Sequence, residues 1–214
     1  MDKPLKYKKS LRPKRQKSGN FSCVAFNKPC GILSQFTPED GHGSLRDFQF
    51  PPGLYPAGRL DCDSEGLLIL TDDGNLANKL INPKFGHKKT YIAQVEKIPG
   101  AADLLKLREG VVLSDGPSRF LRAELVTEPP LPPRFPPVRF RKTVPTSWVL
   151  IAINEGRNRQ VRRTFAAIGY PVLRLVRTAI GNFRLGQLPR GRWQKMCGRE
   201  IKALLADSDE NRPD

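Results

Sequence analysis

The densest concentration of groups able to do chemistry is Gly58-Arg59-Leu60-Asp61-Cys62-Asp63-Ser64-Glu65-Gly66, which continues through an apolar stretch to Asp72-Asp73-Gly74. Carboxylates beside an arginine admit several roles. An ionised aspartate can act as a nucleophile or general base, a group of carboxylates can hold a hard cation, and a single aspartate can simply cap or close a turn. Asp61, Asp63, Glu65, Gly66 and Asp72 even fall at positions 1, 3, 5, 6 and 12 of a calcium-binding loop. Such a loop needs a helix in front of it, and Phe50-Pro-Pro-Gly-Leu-Tyr-Pro-Ala-Gly58, with three prolines and two glycines, is not one. A metal-dependent nuclease gathering Asp61, Asp63 and Asp72 around magnesium is a second metal reading.

The other chemical cluster is Asn154-Glu-Gly-Arg-Asn-Arg-Gln-Val-Arg-Arg-Thr-Phe-Ala-Ala-Ile-Gly-Tyr-Pro171, which reads as a strand end, a turn, a helix and a Gly/Pro stop, with Asn158 as N-cap. On a 3.6-residue period Val161, Thr164, Phe165 and Ile168 share one face, and Arg159, Arg162 and Arg163 lie opposite. A row of guanidinium groups suits phosphates or a buried carboxylate, and equally a solvated basic face. Between the clusters, Lys89-Thr90-Tyr91 opens a strand on which Lys89 and Tyr91 project to the same side; Tyr91 there is either a core tyrosine or a stacking platform for a base.

These groups need a scaffold. Short apolar runs predict strands at Phe21–Asn27, Gly66–Thr71, Thr90–Val95, Ala123–Thr127 and Trp148–Ile153, with a turn at Lys28-Pro29-Cys30-Gly31. Helices are predicted at Asn75–Ile81, Ala101–Arg108 and Arg159–Ile168. Pro129-Pro-Leu-Pro-Pro-Arg-Phe-Pro-Pro137 reads as an extended crossover between strands. The irregular order of elements, with no glycine-rich phosphate loop after a strand, disfavours a doubly wound fold and points to an α+β protein with a mixed or antiparallel sheet.

The 214 residues suit one domain or two small subdomains sharing a core. A net charge of +16 points to a polyanionic partner. Residues 1–20, with eight Lys or Arg against Asp2, read as a disordered basic arm; removing it leaves about +9 on the rest, so the folded part is cationic as well. Residues 207–214 read as an acidic disordered tail. No apolar run approaches the roughly 18 residues of a membrane span, and the polar start has no signal-peptide character, so a cytoplasmic protein with no membrane partner is expected. Cys23, Cys30, Cys62 and Cys197 form no C-x-x-C pair and only His42 and His87 accompany them, which disfavours a zinc ribbon, a disulfide framework or a dithiol site.

Taken together, Asn27-Lys-Pro-Cys-Gly-Ile-Leu-Ser-Gln35, Gly58-Arg-Leu-Asp-Cys-Asp-Ser-Glu-Gly-Leu-Leu68, Lys89-Thr-Tyr91 and Glu155-Gly-Arg-Asn-Arg-Gln-Val-Arg-Arg163 resemble the bacterial pseudouridine synthases of the RsuA class. The resemblance spans about residues 21–194, and residues 21–206 are assigned to one catalytic domain. About 20 residues precede the catalytic part here, so the S4-type RNA-binding domain usual in this class is not expected; together with Pro145-Thr-Ser-Trp148 and the proline loop, this is similar to the members that modify 23S rRNA. Two positions depart from the class, Thr164 where methionine is frequent and Gln194 near a usual arginine.

The resemblance implies a long, bent, mostly antiparallel sheet in two subdomains with the active cleft across the middle. It implies isomerisation of a uridine in 23S rRNA, or in a large-subunit precursor, to pseudouridine near the peptidyl transferase region, by a monomer without metal or cofactor. Asp61 is then the catalytic carboxylate, Arg162 the arginine that pairs with it, and Tyr91 the tyrosine packed on the target base. Arg59 is expected beside the flipped nucleotide, and Lys28, Lys89, Arg157, Arg159 and Arg163 as further RNA contacts. The alternatives are a pseudouridine synthase acting on another rRNA site and a binding-only ribosome-associated protein.

Overall fold

The computed structural model describes residues 21–39, 41–139, 141 and 143–206; the basic arm and acidic tail expected from the sequence lie outside them. In chain order the strands are β1 (Cys23–Lys28), β2 (Tyr55–Pro56), β3 (Glu65–Thr71), β4 (Lys89–Glu96), β5 (Val111–Leu113), β6 (Gly116–Ser118), β7 (Arg122–Val126), β8 (Thr146–Ile153), β9 (Val172–Ile180), β10 (Phe183–Arg184) and β11 (Trp193–Lys195). The helices are α1 (Gly74–Ile81), α2 (Ala101–Glu109), α3 (Gln160–Ala167) and α4 (Gly198–Leu205). Nine strands form one sheet in the order β11-β1-β3-β9-β4-β8-β7, with β2 added to β3 and β10 to β9, while β5 and β6 make a separate hairpin.

β3 is buried throughout, with an unbroken apolar run from Leu67 to Leu70, because both of its faces are covered. Leu68 and Leu70 enter one core with Tyr91, Ala93 and Val95 of β4, Leu107 of α2 and Val161 and Phe165 of α3. Leu67 and Ile69 enter the other, beneath Leu76 and Leu80 of α1 and Leu204 of α4. β4 instead alternates, with Tyr91, Ala93 and Val95 buried on one face and Thr90, Ile92, Gln94 and Glu96 half-buried on the other. The proline-rich segment is the extended crossover expected between β7 and β8, tied down by Arg174 Nη2 donating to the Pro132 carbonyl and Arg190 Nη1 to that of Pro133.

Two halves meet at the β3–β9 seam. It is the parallel contact in this sheet, made by only two residue pairs, Glu65 with Val176 and Gly66 with Arg177. Gly66 has φ +99°, and a Cβ there would collide with the Arg177 carbonyl oxygen and lie 2.9 Å from the Arg177 nitrogen, so glycine is what lets the two backbones come together. Glu65, which the calcium reading made a ligand, is 3 % exposed and accepts two hydrogen bonds from Arg174, at 2.7 and 3.1 Å.

Several elements differ from expectation. The residue pattern does not announce β9, because Arg174 and Arg177 break its apolar run; its length and central position come from burying both arginines across the seam. β11 and the β5–β6 hairpin are equally unexpected, being strands of three residues, and so is α4, which is as long as α1 and α3. The N-cap of α3 is Arg159 in the left-handed region, φ 46°, rather than Asn158, and the Gln160 side chain accepts from the Arg157 N–H instead. Arg162 does not lie with Arg163 on an outward row; its side chain is 11 % exposed and turned inward.

Lys28 ends β1 and is completely buried. Its ammonium donates to the carbonyls of Ile32 (2.7 Å), Pro29 (2.9 Å) and Cys62 (3.3 Å), and burial lowers its pKa to about 8.

The seam and this lysine can each be tested through stability. Gly66→Ala should cost about 3 kcal/mol or more in urea unfolding, since the clash is with backbone; a loss under about 1 kcal/mol would refute the close-approach argument. Because the folded state depresses the Lys28 pKa, the native protein binds fewer protons than the unfolded chain between pH 8 and 10.5, and this residue should make stability rise with pH across that window. That rise, on the order of 2–3 kcal/mol at most, should be missing from Lys28→Met when unfolding is followed at about pH 7.5, 9 and 10.5.

Candidate active site

The loop carrying Asp61 is held from one side by the segment that follows β1. Gly31 N–H donates to the Cys62 carbonyl at 2.8 Å, beside the Lys28 contact to the same oxygen. Ser34 bonds Leu60 twice, its hydroxyl donating to the Leu60 carbonyl and accepting from the Leu60 N–H. Ser64 N–H closes the turn on the Asp61 carbonyl. The motif Asn27–Gln35 is thus a clamp for the motif Gly58–Leu68, and Lys28, expected at the RNA surface, is part of that clamp. With no exposed surface and three carbonyl partners it is not placed to meet a phosphate.

The clamp presents Asp61, its side chain 29 % exposed, to a cleft of about 460 Å³. The opposite wall comes from the other half of the sheet: Lys89 and Tyr91 of β4, the turn 154–159, Arg162 of α3 and Arg177 of β9. A volume in this range accommodates a single small organic group such as an unstacked nucleotide. Asp61, Tyr91 and Arg162, expected from separate motifs, therefore line one cavity, as do Arg59, Lys89, Arg157 and Arg159.

The arginine pairing differs from expectation. Arg162 Nε lies 3.3 Å from Asp63 Oδ2, and the same guanidinium donates to the main-chain carbonyls of Asp63 (3.0 Å) and Val172 (2.9 Å), so its carboxylate partner is Asp63 and not Asp61. Arg159 makes a bidentate bond to Asp63 at 3.0 and 2.9 Å and also reaches within 3.9 Å of Asp61. Burial works to raise the Asp63 pKa, but the Arg159 hydrogen bonds and the Arg162 charge outweigh it and hold the carboxyl below its usual range. Burial lowers the Arg162 pKa while Asp63 and Asp61 oppose that shift.

Two other expected RNA contacts are engaged in bracing the protein. Arg163 is bidentate to Asp115 at 2.8 Å for both bonds. Arg157 donates to the carbonyls of Asp115, Gly116 and Pro117 and so secures the β5–β6 hairpin against the turn before α3. Arg59 is exposed and touches Gln35 at 3.4 Å. Lys89 is half-buried and donates to the His87 carbonyl. Thr164, the departure from methionine, is buried with its hydroxyl donating to the Gln160 carbonyl (2.9 Å) and accepting from the Ser118 hydroxyl (2.8 Å), so a polar pair fills the space. Gln194 is exposed and its amide reaches Glu200 at 3.4 Å.

Two cleft residues, Arg177 and Ser64, do not stand out in the sequence. Both are buried, both line the cleft, and Ser64 Oγ and Arg177 Nη2 have no protein partner. The one signal for Arg177 is that it is one of two charges, with Arg174, inside a largely apolar strand. Neither metal reading survives the geometry: Asp72 lies beyond the far end of β3, which at about 3.3 Å per residue puts it roughly 20 Å from Asp61, and it accepts the Ser22 N–H. Among the described residues no three His, Cys, Asp or Glu side chains converge as a metal site.

Comparison with known proteins agrees with this arrangement. Residues 22–167 match the RNA pseudouridylate synthase family model. The chain is 54 % identical over 168 residues to ribosomal large subunit pseudouridine synthase E of Xanthomonas axonopodis pv. citri, covering 77 % of this chain and 88 % of that protein. It is 50 % identical over 177 residues to the protein of the same name from Vibrio parahaemolyticus, covering 83 % and 74 %. A crystal structure of a pseudouridylate synthase superposes with a TM-score of 0.71 at 29 % identity, covering 86 % of this chain and 74 % of that one. With three of the four motifs lining a single cleft and the fourth clamping the loop that carries Asp61, the chain belongs to the RNA pseudouridylate synthase family.

Proposed function

We propose that the protein converts a uridine of 23S ribosomal RNA, near the peptidyl transferase region, to pseudouridine, with Asp61 as the reacting carboxylate. The observation that carries this reading is the convergence of Asp61, Tyr91 and Arg162 on one cleft from three separate parts of the chain. The substrate is inferred from the relatives, whose names specify the large ribosomal subunit.

The uridine must leave its stack to enter the cleft, at a cost of a few kcal/mol. The cationic surface offsets this through phosphate contacts, and Arg159 and Lys89 stand at the mouth for that purpose. Arg59, exposed on the loop before Asp61, fills the space the base vacates. Inside, Tyr91 packs on the uracil while Asp61, facing the sugar, attacks it or removes a sugar proton as the N1–C1′ bond breaks. The base turns, C5 bonds to C1′, and the C5 proton is taken up with help from the Tyr91 hydroxyl. Arg162 acts on Asp61 through the loop: by fixing Asp63 and its carbonyl it sets where Asp61 points. The protein works as a cytoplasmic monomer without metal or cofactor; among the described residues no helix is long and apolar enough to cross a membrane.

Purified wild-type and Asp61→Asn protein incubated with unmodified 23S rRNA and chelator, followed by carbodiimide mapping, should show one new primer-extension stop for wild type and at least a roughly 1,000-fold slower appearance for the variant, on the order expected for loss of a reacting group. Strand scission in a parallel reaction with magnesium in place of chelator would establish the nuclease instead. Tight RNA binding with no stop from either protein would establish the binding-only alternative.

A further inference from the structure

Arg177 is 4 % exposed, and its surroundings leave its charge uncompensated. Nε donates to the Leu67 carbonyl at 2.7 Å, which ties the side chain to β3. Among the described residues it forms no ion pair with a carboxylate, in contrast to Arg174 on the same strand, which is fully paired with Glu65. The residue lines the cleft, and its Nη2 is buried without an acceptor in the protein. The guanidinium lies 6.0 Å from the Tyr91 ring centroid, on the strand position directly paired with Tyr91. A buried cation with an unused donor is costly unless a ligand supplies the missing acceptor.

We infer that Arg177 is a catalytic donor, whose Nη2–H bonds a carbonyl oxygen, O2 or O4, of the target uracil. This rests on the uridine-isomerase reading above. The position favours the base over a phosphate: Arg177 sits on the cleft floor, at the seam and against the ring on which the uracil packs, whereas the exposed cations Arg59 and Arg159 are at the rim. The chemistry gives the contact its value. When N1–C1′ breaks, its electron pair stays on the departing base, as an anion whose charge is shared by O2 and O4. C5 then bonds to C1′, and the proton that C5 loses is balanced by the one N1 finally carries. A fixed cationic donor at a ring carbonyl is strongest while the base is anionic, so it lowers the barrier more than it tightens binding. The position of Arg177 is preset: the Gly66 approach fixes its backbone and the Leu67 carbonyl fixes its Nε, so little reorganisation accompanies the reaction.

The test is a cycle of protein and substrate changes under single-turnover conditions. Wild-type, Arg177→Lys and Arg177→Met proteins are each given an RNA fragment spanning the target site, with uridine, 2-thiouridine or 4-thiouridine at that site; sulfur is a poor acceptor for the N–H. Both variants should convert uridine about 100-fold more slowly, with saturation midpoints changed less than about threefold. One of the two thio substitutions should slow wild type about tenfold and slow Arg177→Met by less than about twofold. Because each ratio compares two RNAs on one protein preparation, partial misfolding cancels. Equal thio effects in wild type and variants at both positions would overturn the contact, as would variants as fast as wild type. If wild type itself leaves uridine unconverted in 23S rRNA and in ribosomal precursors, the uridine-isomerase reading falls and this inference with it; if wild type converts it while the thio effects are additive, only the Arg177 assignment falls.

Discussion

The approach of two backbones at Gly66 and Arg177 governs the geometry of the whole site. Only two residue pairs join β3 to β9, yet β3 closes one half of the sheet and β9 opens the other. The loop bearing Asp61 leads into β3 immediately before this contact, and Tyr91 stands on β4 beside β9. The distance between carboxylate and tyrosine is therefore set by how closely β3 and β9 lie, and a side chain at residue 66 would part them. The buried Glu65–Arg174 pair reinforces the same place. Such a pair adds little net stability over an apolar equivalent, but misalignment would strand a charge in the core, so it selects one arrangement of the halves over others.

Arginine does two different jobs in this protein, and net charge does not separate them. Arg157, Arg163 and Arg174 are consumed in holding hairpin, helix and seam together, each with carboxylate or carbonyl acceptors already in place. Arg59 faces solvent at the cleft without a carboxylate partner among the described residues, whereas Arg159, also exposed there, is already bidentate to Asp63. Arg162 stands between the two groups, lining the cleft while its bonds go to the loop that shapes it. The same division applies to lysine: Lys28 is buried for a structural purpose in a chain whose cationic surplus otherwise suits a polyanion. Its ammonium is tolerated there because three carbonyls replace water, and the lowered pKa records that the replacement is incomplete.

Much of the architecture is legible in the residue pattern, for a definite reason. Strands β1, β3, β4, β7 and β8 and helices α1, α2 and α3 announce themselves because their hydrophobic spacing reflects how many of their faces are covered. β9 does not, although it is the middle of the sheet, since its arginines look like surface residues until the partners that bury them are known. The strands of the hairpin and β11 have only three residues each, too few for a pattern, and their stability comes from packing rather than local preference.

Residue types alone leave Asp61 open between a reacting carboxylate, a metal ligand and a turn cap; it is the resemblance of four ordered motifs to a known family that points to the reaction class and to Asp61, Tyr91 and Arg162 as candidates, because ordered motifs survive in one dimension. Residue types do suffice to show that the folded part is cationic, a property of composition alone. Which of those charges are available is settled in three dimensions. Folding turns Arg162 toward Asp63, encloses Lys28, neutralises Arg163 on Asp115, and leaves Arg177 facing the cleft with a donor unused. Hydrogen bonds between residues as far apart as Arg177 and Leu67 depend on how strands are laid side by side, and strand order in space is not written in residue order along the chain.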